Sequence, residues 1–538
     1  MKRILCLLLA MLLLAGCASD PAAPKTTEVP SDTAENGIIP VSEPPDEEQK
    51  PDHFGLCYVA EYGFNPYSCL CITNRPILSL VYEGLFVING SFEPEPVLCQ
   101  KFAVSEDGRR YLFTICPDAA FSDSSPVTAE DVVASLEAAR GSDYYGSRFS
   151  RVYAFTAESE KTVSVTLRDP YENLPLLLDV PIVKKGTAED PRPIGSGPYA
   201  FSRGTKPGLY RCRAWWQNRG APVEFDTIRL TAEKNPTEIR DSFEFGDTSL
   251  VCVDLNAPTA VGYRCDYELW DCPTTAMVYL GFNFNAGMFV NEAFRAGITH
   301  LIDRSEILTI CKGFAESACL PCAPASPLYD AELAKGYDYD PAAFARVKAK
   351  ANLSPDYVGT LLVCSADPTL VEIAHRISDM FTRAGVRVEV SAVDYDTYHY
   401  RLSAGQFDCF LGETRLSANF DLSEFFRRYG SLSFGGIASG GMEGLCADAL
   451  ENSGNCYELY RNVMERGCIC PLLFKSYAVM AGRGMIASLQ PAVDSVFHLA
   501  GGRSLAEAGA DYEVLSGAAA PEQTDETGET AETTETEP

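Results

Sequence analysis

The stretch Tyr111-Leu-Phe-Thr-Ile-Cys-Pro-Asp-Ala-Ala-Phe121-Ser-Asp-Ser-Ser-Pro126-Val-Thr-Ala-Glu-Asp131-Val-Val-Ala-Ser-Leu-Glu-Ala-Ala-Arg140 decides how this chain folds. Its opening residues alternate in character as a half-buried strand does, and Phe121 to Pro126 supply a polar turn. Thr128 then stands where a helix N-cap belongs, with Asp131 three residues on as the reciprocal partner of a capping box. Val132, Leu136 and Ala139 share one helical face, which must be laid against a sheet.

Working outward, Leu56 to Ala60 reads as a strand that ends at the Asn65-Pro66 turn, and Asp107-Gly108 makes the hairpin turn that leads into Tyr111. Beyond the helix, Thr162 to Leu167 alternates as a strand and Pro175 to Leu178 forms a short apolar helix. Ile194-Gly-Ser-Gly-Pro-Tyr199 is a loop whose glycines permit backbone geometry closed to other residues. Phe121-Ser-Asp followed by Thr128-Ala-Glu-Asp-Val132 resembles the signature of the extracellular solute-binding proteins of peptide and nickel ABC transporters, family 5. Tyr82-Glu-Gly-Leu85 and the Gly195 loop extend the resemblance, in the right order, over about residues 55 to 505. Ser124 departs from it, because the family usually has glycine there.

The resemblance implies an α/β fold, two-lobed and periplasmic-binding-protein-like (type II, large peptide-binding subclass), with a hinge between lobes. Residues 53–272 are expected to form the first part of lobe I, 273–478 lobe II, and 479–515 the return to lobe I. Thr275 to Asn283 resembles the crossover strand, and Cys470 to Met480 the returning one. The residues themselves give the clearest unit of the second half, from Gly359 to Leu411. There strand, helix, strand, helix and strand alternate as a parallel α/β layer does, and such layers bind ligands at the carboxyl ends of their strands.

The loop after that layer, Gly412 to Phe426, is therefore the place to seek specificity. In oligopeptide-binding relatives the matching segment carries an aspartate that holds the peptide's amino terminus, and Asn419 occupies that position. Asp421 is the alternative carboxylate, and Arg415 offers a forked partner for a carboxylate. Tyr62 and Asn65, beside the first turn, complete the expected ligand-binding set. Trp216 reads as core or lobe surface rather than ligand platform.

The ends read differently. Met1-Lys2-Arg3, an apolar run from Ile4 to Leu14 and Ala15-Gly16-Cys17 make a secretory signal over residues 1–17, too short to span a bilayer as a mature helix. Leu14-Ala-Gly-Cys17 resembles a bacterial lipobox, which implies a diacylglycerol on the Cys17 thiol and an anchor on the outer face of the cytoplasmic membrane. Residues 18–52 and 516–538 have the Pro-, Thr- and acid-rich composition of solvated tethers. Each carries seven excess negative charges and the signal two positive ones, so about −18 of the total −30 lies between the tethers. Such acidity excludes nucleic acid as a partner.

Cys319-Leu-Pro-Cys322, Cys69-Leu-Cys71 and Cys468-Ile-Cys470 are close pairs that could bridge or bind metal, but no second pair or nearby histidine completes a zinc site. The other cysteines fall in core strands, where they act as small hydrophobes. No Gly-x-Ser-x-Gly elbow, phosphate loop or His-Glu-x-x-His occurs, so no enzyme, cofactor or resident metal is expected. The expected role is a monomeric binding lipoprotein that closes on a peptide-like solute and delivers it to ABC permease subunits. A sensory binder, or one specific for a metal chelate or a sugar, is the alternative.

Overall fold

A computed structural model describes residues 53–498, apart from 204–206, 213–222, 352, 355 and 487. The leader with Cys17, both tethers, Trp215 and Trp216, and residues 499–515 lie outside the described residues. Within them, the deciding stretch folds as its pattern dictates. Arg110–Ile115 is the second strand of a four-stranded antiparallel sheet, and Ala129–Arg140 is a helix. Asp131 accepts from the Thr128 amide at 2.8 Å, and Thr128 Oγ1 accepts from the Asp131 amide at 3.4 Å, so the capping box is complete. Val132, Leu136 and Ala139 are fully buried beneath it.

Gly195 and Gly197 serve close approach rather than a turn. A Cβ on Gly195 would sit 2.1 Å from the Val81 carbonyl oxygen, and one on Gly197 2.5 Å from that of Leu80. The carbonyl of Gly195 also accepts from the Ser122 amide at 2.9 Å, so the signature turn, the glycine loop and the helix Arg75–Val81 meet at one point. Ser124 has φ 71°, in the left-handed region that favours glycine.

The main sheet has eleven strands and joins both parts of the chain. Tyr267–Phe282 is one strand of sixteen residues, beginning well before the Thr275-to-Asn283 stretch that resembles the crossover strand, and Ile469–Gly482 lies antiparallel to it. Toward one end they join Leu250–Val253 and Phe54–Tyr58; toward the other they join Cys409–Arg415. The register shifts between Pro273 and Met277, where the pair passes from one half of the sheet to the other. Gly359–Cys364, Val388–Val393 and Cys409–Arg415 are parallel, as the alternation of elements requires. The helix Pro368–Arg383 buries Leu370, Ile373, Ala374, Ile377, Met380 and Phe381 on that layer.

One apolar core fills residues 54–272 and the return from Val479 to Phe497, while two others fill the stretch from Met277 to Phe474. Ile88, Phe92, Leu176 and Val493 pack into the second of these, so the two parts touch through apolar side chains as well as through the shared strands. At the far side of the crossing, Lys475 reaches Glu413 at 2.6 Å and Asp367 at 3.6 Å. Thr369 Oγ1 there donates to the Asn256 carbonyl at 2.6 Å.

Candidate ligand-binding site

A cleft of about 400 Å³ runs between residues 147–177 of the first part and 414–450 of the second. Its size falls within the ~300–1,000 Å³ usual for small-molecule sites. Arg148, Arg151, Arg168 and Tyr171 form one wall; Arg415, Asn419, Asp421, Glu424 and Arg427 contribute to the other. The Gly412–Phe426 segment is therefore where the sequence placed it, at the carboxyl end of a strand, with Arg415 as that strand's last residue.

The three expected side chains from this segment meet in the cleft, each already engaged. Asn419 donates from Nδ2 to the Tyr171 hydroxyl at 2.6 Å, a buried bond from one part to the other, and its Oδ1 accepts from Ser417 Oγ. Asp421 Oδ1 accepts from the amide and hydroxyl of Ser423 at 2.8 and 2.6 Å, which fixes the start of the short helix Ser423–Phe426. Arg415 pairs through Nη1 with Asp494 and donates from Nη2 to the Tyr477 hydroxyl at 2.6 Å. Its forked end is thus held inside the protein rather than offered to a solute.

Asp494 also binds Arg75. The Arg75 guanidinium donates to the Asp494 carbonyl at 2.7 Å and lies 3.6 Å from its carboxylate. Arg75 and Arg415 each stand 5.9 Å from the Tyr477 ring centroid. Burial pushes the Asp494 carboxyl up, but the two guanidiniums outweigh it and hold the group below the usual carboxylate range. Behind this cluster is a separate cavity of about 130 Å³, lined by Arg75, Tyr144, Arg148, Asp179 and Asp494. Arg148 pairs with Asp179 and reaches both cavities, so the ion pairs form the wall between them.

The remaining expected residues lie elsewhere. Asn65 donates to the carbonyls of Ala188 and Asp190 at 2.6 and 3.0 Å and accepts from the Tyr67 amide at 2.9 Å. It staples its turn to the 188–190 loop and lines a different surface depression. Tyr62 is 52% exposed at the end of the one-turn helix Ala60–Tyr62, and neither residue borders the cleft. Tyr171, Arg151, Arg168, Arg75 and Asp494 were not among the expected residues. Each is recruited from far along the chain, and no local spacing marks it.

Among the described residues no disulfide joins any of the eighteen cysteines, Cys319 and Cys322 included. Burial pushes the Cys212 and Cys311 thiols up to about 11. No group of three or more potential metal ligands occurs among the described residues. No helix among them is long and apolar enough to cross a membrane.

The family model described as "Bacterial extracellular solute-binding proteins, family 5 Middle" matches residues 93–435. The chain belongs to that family. Family-5 solute-binding proteins are non-enzymatic binding components of ABC transporters, as the sequence implies here. The glutathione-binding protein GsiB of Salmonella typhimurium is 21% identical over 347 residues, spanning 61% of this chain and 67% of GsiB. Among solved structures, CtaP, an ABC transporter substrate-binding protein from Listeria monocytogenes, superposes with a TM-score of 0.67 at 15% identity. That match covers 84% of this chain and all of CtaP. The unliganded open form of MppA, a periplasmic murein tripeptide-binding protein, superposes with a TM-score of 0.68 at 15% identity, covering 84% and 97%. At these identities the two structures establish the mixed α/β fold, as expected from the sequence.

Proposed function

We propose that this family-5 protein captures a short peptide-like solute in the 400 Å³ cleft and passes it to ABC permease subunits, tethered by a lipid on Cys17. In this reading residues 53–272 with 479–515 form one lobe and 273–478 the other, and the long strands Tyr267–Phe282 and Ile469–Gly482 carry the hinge. Closure is favoured to the extent that a solute touching both walls binds the closed form better than the open one.

The observation that carries the reading is the charge distribution of the cleft. Arginines line both walls, yet Asp421 has one carboxylate oxygen not used by Ser423, and Glu443 adds another carboxylate. A cleft with both signs suits a zwitterion, which a neutral sugar is not. None of the protein's five histidines borders it, which disfavours a bare metal ion. The names of GsiB and MppA, which bind glutathione and a murein tripeptide, point the same way.

Native mass spectrometry and a thermal-shift screen test this. A tripeptide present at one hundred times its Kd should stabilise the fold by about 2.7 kcal/mol. A sugar or a metal chelate that protects the protein while no peptide does so overturns the peptide reading. Cys17→Ser should release the protein from membranes and abolish lipid labelling; retention on the membrane removes the anchor from the proposal.

A further inference from the structure

Arg151 and Arg168 stand out among the arginines of the cleft: Arg148, Arg415 and Arg427 each sit in a close ion pair, whereas Arg151, half-buried, and Arg168, exposed, do not. They flank the paired strands Val152–Ala157 and Thr162–Leu167. Val152 faces Leu167 in the ladder, and the Arg168 amide donates to the Arg151 carbonyl at 2.9 Å, so the two arginines stand directly opposite each other. Both line the cleft.

Like charges directly opposite on antiparallel strands are destabilising. In a chain of net charge −30, carboxylates to quench them are plentiful. Among the described residues only Asp169, itself 63% exposed, approaches Arg151, at 3.7 Å, and Arg168 has no carboxylate within ion-pairing reach. The acids of the facing wall do not pair with them either. Glu424 is taken by Arg427 and by the Ser431 amide and hydroxyl, while Asp421, held by Ser423 through one oxygen, and Glu443 form no ion pair with either arginine among the described residues.

We propose that Arg151 and Arg168 form a carboxylate-binding fork: two guanidiniums on adjacent strands that together donate to one carboxylate of the solute. The proposal rests on the cleft being the solute site and narrows the solute to one with a free carboxylate on the side facing the four-stranded sheet. Guanidinium matches the planar carboxylate in a two-bond geometry, and two such groups compensate each other's repulsion only when an anion sits between them.

Calorimetric titration and thermal melting of the full chain test it, comparing wild type with the double variant Arg151→Gln, Arg168→Gln. The probes are trialanine, trialanine amide and succinate. Wild type should bind trialanine at least tenfold more tightly than its amide, and the double variant should lose that discrimination. Succinate should raise the melting temperature of wild type and not of the variant. The empty variant should melt at or above wild type, because a like-charge pair has been relieved; a pair with a merely structural role would melt lower. Equal affinity of wild type for acid and amide overturns the fork, as does failure of every carboxylate probe to protect wild type more than the variant. Protection by succinate through the arginine pair, with none by trialanine, supports the fork while removing the peptide reading.

Discussion

Replacing Asp494 by Asn leaves shape and volume nearly unchanged but removes the charge that Arg75 and Arg415 share. Asp494 sits at φ 57°, and asparagine tolerates that region as well as aspartate does, so backbone strain is held constant. Breaking a buried ion pair by neutralising one partner costs about 3–5 kcal/mol. Arg415 keeps 28% of its side chain exposed, which favours the lower end, about 3 kcal/mol. Unfolding entropy of about 2 cal/mol/K per residue, over roughly 430 described residues, gives ~0.9 kcal/mol/K. The melting temperature should therefore fall by about 3 °C at pH 7. The pH dependence follows from the depressed carboxyl. Its contribution is complete above the ordinary aspartate value of 3.8 and is lost as pH falls through the lower folded value. Melts of wild type and Asp494→Asn between pH 3 and 8 should show a constant gap above about pH 5 that narrows below about pH 4. A gap under 1 °C at pH 7, or one unchanged at the lowest pH, refutes the assignment.

Tyr171→Phe leaves the buried Asn419 amide without its acceptor and should cost about 1–2 kcal/mol in urea denaturation; no change would mean that water replaces the hydroxyl. Ser124→Gly should stabilise by up to about 1 kcal/mol, because the left-handed conformation ceases to strain a side chain, whereas Ser124→Val should destabilise. Phe420, buried at φ 53° between Phe92 and Phe474, offers a sharper comparison. Glycine is usually worse than alanine, yet Phe420→Gly should be about 1 kcal/mol more stable than Phe420→Ala, and the opposite order would remove the strain argument. Lys475→Met should cost about 2 kcal/mol at neutral pH by leaving Glu413 and Asp367 unpaired. Burial lowers the Lys475 ammonium, but Glu413 and Asp367 outweigh it and raise the group above its usual 10.5. The gap from wild type should therefore hold up to about pH 10 and close only above that, as alkaline melts would show.

The fold was legible because its elements announce themselves locally. Thr128 and Asp131 mark a helix start within four residues, and the helices at Asp340-Pro341 and Asp367-Pro368 begin with a capping side chain followed by proline at the first position. The alternation from Gly359 to Leu411 marked a parallel layer because hydrophobic period and turn chemistry agree there. The single strand Tyr267–Phe282 was harder to see. Pro273, with Thr274 and Thr275 after it, reads as a break, yet the chain continues through a register shift whose donors and acceptors are met by its neighbours. Thr274 Oγ1, for example, donates to the Lys475 carbonyl at 2.7 Å.

The site was legible only in part, and the reason is charge. A sequence shows that Arg415 can grip a carboxylate but not that Asp494, seventy-nine residues on, already holds it. It shows Asn419 in place of a carboxylate but not that Tyr171 supplies a partner for the amide. Such pairings decide which groups remain for a solute, because a buried cation must be matched before anything else can be bound. In this cleft the arginines nearest the sequence signal are matched internally, whereas Arg151 and Arg168 are brought together by the hairpin of the four-stranded sheet and left largely unmatched. Unspent charge therefore lies opposite the segment that family resemblance points to, on the wall built by the same sheet that contains Tyr111.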